Sequence, residues 1–347
     1  MSYLKYHFKV INVFGLCLLI ALTFRCAGTF FKKGNDHFKN GDYKSAIADY
    51  NHAIALGRND AITYGNRGGA YLMIKSYDSA IADFKKAIKN NPNISNFYSG
   101  LGSAFYYKGD YEKSITNYNK AVEVNPDMVQ NYYERGKTFV KKGVYDLAIA
   151  DFDKAILINP KYETAFNNRG RCFALQGNYE RAIFDFNTAI TINPKDANAL
   201  FNRGFEYYQV GEIDRALNDF NNAIQYDSTY AAAYQGQGNV FYKKNDYDRA
   251  ILSYGRAIQF NQKSESFYSR GLAFNKKNEH QNAISDFDAA IEQNPKNENA
   301  LFYRVLEYEK MQNNEKAIAD FKKCLELTND SSQINEIKSF LQRINNK

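Results

Sequence analysis

Apolar and small residues recur along this chain at helical spacing, and the helical segments they mark repeat on one register. All five prolines sit at a single phase of it: Pro92, Pro126, Pro160 and Pro194 are 34 residues apart, and Pro295 follows 101 residues later, one short of three periods. Proline ends a helix and removes a backbone donor, so prolines held to one phase mark the same inter-helix corner in successive copies of one unit. A fixed period of this length predicts a solenoid of stacked supersecondary units.

Phases are numbered here from Ala61. Phase 8 reads Gly34, Gly68, Gly102, Gly136, Gly170, Gly204, Gly238 and Gly271, and breaks at Val305. Phase 20 is alanine in every unit but one, from Ala46 to Ala317, with Ser114 the exception. Phase 24 is always aromatic: Tyr50, Phe84, Tyr118, Phe152, Phe186, Phe220, Tyr254, Phe287 and Phe321. Phases 4, 8 and 11 share one face of a first helix; phases 20, 24, 27 and 28 share one face of a second. The pattern predicts that glycine at phase 8 opposite alanine at phase 20 lets the two helices approach, with aromatics filling the space beside them. Gly109-Asp110-Tyr111 and Gly177-Asn178-Tyr179 are turn signals between the helices. One hairpin cannot cover its own apolar face, so neighbours must stack.

On these residues the chain resembles the tetratricopeptide repeat (TPR) family, whose pattern of a large aromatic, Leu-Gly, Tyr, Ala, Phe, Ala and Pro is matched in nearly every unit. The resemblance implies an all-α fold: a right-handed α-α superhelix, or TPR solenoid, of about nine helix-turn-helix repeats. The units are 27–60, 61–94, 95–128, 129–162, 163–196, 197–230, 231–263, 264–297 and 298–331, after an N-terminal signal or anchor segment 1–26. Ile334, Ile337, Leu341 and Ile344 recur at helical spacing and predict a C-terminal capping helix over 332–347. The chain departs from the family in having no Trp; Tyr64, Tyr98, Tyr132 and Phe166 stand at phase 4. One residue is missing between Ala257 and Ala290, which places a deletion in a corner between helices. The period fits the protein-binding family rather than the related RNA-reading pentatricopeptide pattern.

Of the net charge of +7, three come from Lys5, Lys9 and Arg25 in a segment without acids, leaving four for the array. No basic run interleaved with aromatics appears, so nucleic acid is not an expected partner. Cys172 and Cys324 read as packing residues about five units apart, too far for a disulfide.

Val10–Phe24 is apolar except for Asn12 and Thr23, and follows Lys5, His7 and Lys9, the order of a membrane-directing segment. It is short for a span, which needs about 20 residues. Three readings stay open: an uncleaved transmembrane anchor, a cleaved signal peptide, or a buried first helix. The expected localisation is membrane-associated or exported through segment 10–24, with the side of the membrane undetermined. Lys and Arg after the segment outnumber those before it, which favours a cytoplasmic array.

Phase 7 carries Arg67, Arg135, Arg169, Arg203, Arg270 and Arg304; phase 23 of the same units carries Asp83, Asp151, Asp185, Asp219, Asp286 and Asp320. Leu101 goes with Asn117 and Gln237 with Ser253, so units without the arginine mostly lack the acid; only the first unit breaks step, with Lys33 and Asp49. This co-occurrence predicts a structural ion pair bridging each hairpin. Arginines acting as anion hooks are the weaker reading, since each has its own acid.

The resemblance also implies that first helices line a concave peptide-binding groove. Its outward phases carry Asn66, Tyr133, Asn168, Arg171, Asn202, Gln235 and Asn239. An Asn side chain offers both a donor and an acceptor, and Tyr adds rigid apolar area with a polar tip. The alternative is that these residues only solvate the inner surface. The family's carboxylate clamp is mostly missing: Asn35 and Asn66 match its asparagines, but Phe31, Asn96 and Gly100 stand in place of its cations. A chaperone-tail carboxylate is therefore not the expected ligand.

His7, His37, His52 and His280 make no metal spacing, and Gly100-x-Gly102 and Gly236-x-Gly238 lack the third glycine of a phosphate loop. No metal, no cofactor and no catalytic residue is expected. The sequence predicts a non-enzymatic TPR scaffold or adaptor that binds a protein or peptide of unknown identity in its groove. The alternative is a membrane-anchored subunit of an envelope or organelle assembly complex that uses its convex face.

Overall fold

The computed structural model describes residue 23, residues 25–327, 334–335 and 338–339. The apolar segment 10–24 lies outside the described residues except at Thr23, and so does the expected capping helix 332–347 except for helical backbone at 334–335 and 338–339. Among the described residues no helix is long and apolar enough to cross a membrane.

The fold is all-α, an alternation of helices and short turns. The chain divides into two compact units, 1–172 and 173–347. The first holds α1 (25–39), α2 (Tyr43–Ala55), α3 (Ala61–Met73), α4 (Tyr77–Asn90), α5 (Ser95–Tyr107), α6 (Tyr111–Val124), α7 (Val129–Lys142), α8 (Tyr145–Ile158) and the start of α9 (Glu163–Leu175). The second holds the end of α9, then α10 (Tyr179–Ile192), α11 (Ala197–Gln209), α12 (Ile213–Tyr226), α13 (Ala231–Lys243), α14 (Tyr247–Phe260), α15 (Ser264–Lys276), α16 (His280–Gln293), α17 (Glu298–Lys310) and α18 (Asn314–Leu327). Within each unit a helix packs on the next in sequence, as in α3 on α4 and α13 on α14. The missing residue falls in the connection 261–263, which has three residues where its counterparts, such as 227–230, have four.

The phase-24 rings form the core. Phe152 and Phe287 are fully buried, each worth about 2–3 kcal/mol of transfer free energy. A Cβ on Gly136 would lie 2.8 Å from the Phe152 ring, and one on Gly271 would lie 2.7 Å from Phe287. The phase-8 glycine therefore makes room for the phase-24 ring of its own hairpin. The phase-20 alanine clusters with the first helix of the following hairpin: Ala46 and Tyr50 with Ala70, and Ala216 and Phe220 with Val240. The atoms nearest Gly136 and Gly271 thus belong to the ring rather than to the alanine. An aromatic ring needs more clearance than a methyl group, so the glycine is spent on the ring.

Each hairpin turns on a left-handed residue at phase 15. Glycine fills it at Gly41, Gly109, Gly143, Gly177 and Gly211, while Lys75, Asn245, Asn278 and Gln312 adopt φ of 60–61° there. The next residue often caps the second helix: the side chains of Asp42, Asp110, Asn178 and Asp246 accept from backbone N–H groups three residues on. Cys172 and Cys324 are buried, and burial pushes both thiols up to about 12.

Candidate protein-binding face

The first helices carry the candidate groove residues, and the structure links several of them from one hairpin to the next. In the first unit, Asn66 Nδ2 donates to Asn35 Oδ1 at 2.9 Å, and Tyr50 OH donates to the same oxygen at 2.8 Å. Further along, Asn168 Nδ2 donates to Tyr133 OH at 3.2 Å and to the Thr164 carbonyl at 2.8 Å. Tyr133 stacks edge-on against Tyr162 at 5.2 Å, and Lys137 lies over its ring at 5.3 Å. Arg171 is exposed and joins none of these links.

In the second unit, Asn202 is half-buried on α11. Gln235 Nε2 donates to Ser269 Oγ at 3.0 Å and to Asn239 Oδ1 at 3.3 Å; Tyr254 OH donates to that same oxygen at 2.9 Å. Gln235 Oε1 is buried with no partner among the described residues.

Two hollows open on these faces. One, in the first unit, has about 630 Å³ and is lined by Asn35, Phe38, Gly69, Asn66, Leu72 and Met73, among others. The other, in the second unit, has about 500 Å³ and sets Phe201, Phe205 and Phe260 beside Gln235 and Asn239. Phe205 is 44% exposed and occupies phase 9, where Asn35, Lys137, Arg171 and Asn239 stand in other hairpins.

The arginines of phase 7 lie beside these faces. Arg67, Arg135, Arg203, Arg270 and Arg304 each grip the aspartate 16 residues on with Nε and Nη2 at 2.6–2.9 Å. Arg169 belongs to the first unit and Asp185 to the second; within the first unit Arg169 donates to Asp153 at 2.5 Å. Burial pushes the Asp151 and Asp286 carboxyls up, and their arginine partners pull them back.

Sequence reasoning missed a third contact. Nη1 of Arg67, Arg135, Arg203 and Arg304 reaches back 16 residues to Asn51, Asn119, Asn187 and Asp288 at 2.5–2.7 Å. Arg169 reaches Asp153 in the same way, so each of these arginines ties its hairpin to the one before it. Where phase 7 is Leu101, the preceding phase 25 is Lys85, a signal that was present in the chain. Gln237 imitates the arrangement without charge: it donates to Asn221 at 2.7 Å and accepts from Ser253 Oγ at 2.7 Å.

Two buried acids at phase 10 were also missed. Glu307 is fully buried but held by His280 Nδ1 at 2.6 Å, by Lys310 Nζ at 2.8 Å and by Asn275. Among the described residues Glu206 Oε2 has no partner, and burial pushes this carboxyl up to about 7. Their signal was an acid at a phase that elsewhere holds Ala70, Ala104, Thr138, Cys172 and Val240. No group of three His, Cys, Asp or Glu able to hold a metal occurs among the described residues.

Sequence models of the tetratricopeptide repeat match residues 31–93, 102–143, 129–162, 164–196, 197–230, 238–270, 264–297 and 301–331. No curated protein sequence matches significantly. Among solved structures, a tetratricopeptide repeat protein from Parabacteroides merdae is 21% identical with a TM-score of 0.58, over 72% of this chain and 99% of its own. The APC/C hetero-tetramer Cut9–Hcn1 is 15% identical with a TM-score of 0.58, over 90% of this chain and 75% of its own. At these identities the likeness speaks to the fold.

Proposed function

Since the chain belongs to the tetratricopeptide repeat family, whose members are scaffolds for protein–protein interaction, we propose that it is a non-enzymatic adaptor that holds a segment of a partner protein along its first helices. The observation that carries this reading is that carboxamide, phenol and hydroxyl groups link successive first helices within each unit, Asn35–Asn66 and Tyr133–Asn168 in the first and Gln235–Ser269 in the second. Each link holds a polar group in one orientation, which lowers the ordering cost of binding an extended backbone. The test is affinity capture with the full chain and with the triple variant Asn66→Ala, Asn168→Ala, Asn202→Ala, matched for helicity. A partner held by the first and lost by the second supports the reading. A partner held equally by both moves the binding surface elsewhere.

A second reading uses the opposite face. The second helices expose Leu147 and Leu157 in the first unit, and Phe184 and Leu252 in the second, at 50–71%. Exposed apolar side chains of this size suit a docking surface. On this reading segment 10–24 directs the protein to a membrane, and the array serves as a subunit of a larger assembly there. Fractionation of the full chain with and without detergent, with N-terminal sequencing, tests the membrane part. A detergent-independent soluble protein that begins at Met1 would reject it.

A further inference from the structure

Three glycines on the first-helix face of the first unit stand off the repeat register. Gly65, Gly69 and Gly100 occupy phases 5, 9 and 6, where neighbouring hairpins carry Ser99, Ser103 and Glu134. Packing accounts for two of them: a Cβ on Gly65 would lie 2.2 Å from the Phe97 ring, and one on Gly100 would lie 2.3 Å from Phe84. It does not account for Gly69, whose added Cβ would meet only the Phe38 ring, at 3.6 Å, an ordinary contact. Glycine inside a helix is less favourable than alanine. Gly69 adds no side chain to the hollow of about 630 Å³ that all three glycines border.

The chemistry of that hollow is specific. Phe38, Leu72 and Met73 supply apolar surface, and Met73 is 53% exposed. Asn35 Oδ1 already takes two donors, from Asn66 and Tyr50. Asn35 Nδ2 and Asn66 Oδ1 have no partner among the described residues, so the hollow offers both amide donors and an acceptor, which together complement a peptide group. Lys39 is the one lining residue that is charged at neutral pH; it is exposed, and no ion pair to it occurs among the described residues. A neutral hollow cannot compensate a buried carboxylate, and a lone cation at its rim disfavours a basic segment.

We propose that this hollow seats one bulky apolar side chain from the interior of an extended partner segment, with the adjoining peptide group on Asn35 and Asn66 and an acidic residue of the segment beside Lys39. This rests on the first-helix reading given above and names the partner chemistry for one part of that face.

The test uses the full chain and fluorescein-labelled, C-amidated decapeptide pools. One pool fixes a central Leu with an Asp two places away. Others replace the Leu by Ser, replace the Asp by Lys, or end in a free carboxylate in place of the central Leu. Fluorescence anisotropy is expected to give the Leu/Asp pool at least ten-fold tighter binding than the Ser pool. Gly69→Leu, which fills the hollow, is expected to weaken it at least ten-fold with an unchanged or raised melting temperature, while Gly69→Ala keeps binding. Lys39→Glu, at an exposed position, is expected to shift preference to the Lys-bearing pool. Equal binding of Leu and Ser pools, preference for the free-carboxylate pool, wild-type binding by Gly69→Leu, or no binding of any pool would overturn the proposal. If Gly69→Leu binds normally while the triple asparagine variant loses its captured partner, the hollow fails and the first-helix reading stands. If neither variant changes anything, both fail.

Discussion

Arg203 and Asp219 face each other across one hairpin through two parallel hydrogen bonds, each 2.7 Å long, with the carboxylate 1% exposed and the guanidinium 19% exposed. The fork of a guanidinium matches a carboxylate in this way, which a lysine at phase 7 would not. The same arginine holds Asn187 of the preceding second helix at 2.7 Å, so one side chain sets both the angle within a hairpin and the spacing to its neighbour.

Removing one partner leaves a buried charge without compensation. Arg203→Gln and Asp219→Ser are each expected to cost about 3–5 kcal/mol. Their combination recreates the neutral Gln237–Ser253 arrangement already present one unit on. The double variant is therefore expected to cost less than either single change, a coupling of about 3 kcal/mol or more. Urea denaturation of the four proteins measures it, and strictly additive losses would contradict the pairing.

Glu206 gives the chain a pH dependence of known sign. Burial raises its carboxyl from 4.5 to about 7, with no partner on Oε2 among the described residues. The folded state thus holds the proton more tightly than the unfolded state. Its contribution to stability is full below about pH 4.5, declines as pH rises, and is lost above about pH 7. Glu206→Gln is expected to raise stability at pH 8 by about 1–3 kcal/mol and to flatten the slope between these values. Thermal melts of both proteins from pH 5 to pH 8 check this against the ordinary acid-side losses they share.

The off-register glycines are expected to respond oppositely to alanine. Gly69→Ala adds a methyl group 3.6 Å from its nearest neighbour and gains up to about 1 kcal/mol of helix propensity. Gly100→Ala places the methyl 2.3 Å from the Phe84 ring, and the overpacking costs about 1–3 kcal/mol. Paired melting temperatures that move in the same direction would show that the Phe84 ring is free to shift.

Lys75 and Gln312 hold φ near 60° at the hairpin turn that glycine fills in five other units. A side chain costs about 1–2 kcal/mol in that conformation, and part of the gain from glycine is lost to the freer unfolded chain. Lys75→Gly and Gln312→Gly are each expected to stabilise by about 0.5–1 kcal/mol. Asn245→Gly is expected to gain less, because asparagine tolerates this region. Chemical denaturation midpoints rank the three.

The register of Pro92, Gly68, Ala80 and Phe84 made the hairpins legible, because each phase imposes one local requirement that repeats. The arginine–aspartate pairing was legible for the same reason: two residues 16 apart that vary together have one simple explanation. Its third contact, to Asn51 or Asn187, was not read, since it depends on how one hairpin rests on the one before. Among the groove candidates, sequence reasoning placed Asn66, Asn168 and Gln235 on one face but did not foresee that they bond to Asn35, Tyr133 and Ser269. Glu206 and Gly69 were passed over because each breaks the repeat, and a repeat-based reading is weakest at its exceptions.

The period, the helix boundaries marked by proline and glycine, and the family were determined by the sequence alone, because local backbone preferences and a recurring apolar face act over a few residues at a time. The tertiary structure decided which ring each glycine clears, which polar groups remain unsatisfied, and where a hollow stays open. Those outcomes depend on side chains distant in sequence competing for the same few ångströms, and no repeat of local preferences carries that information.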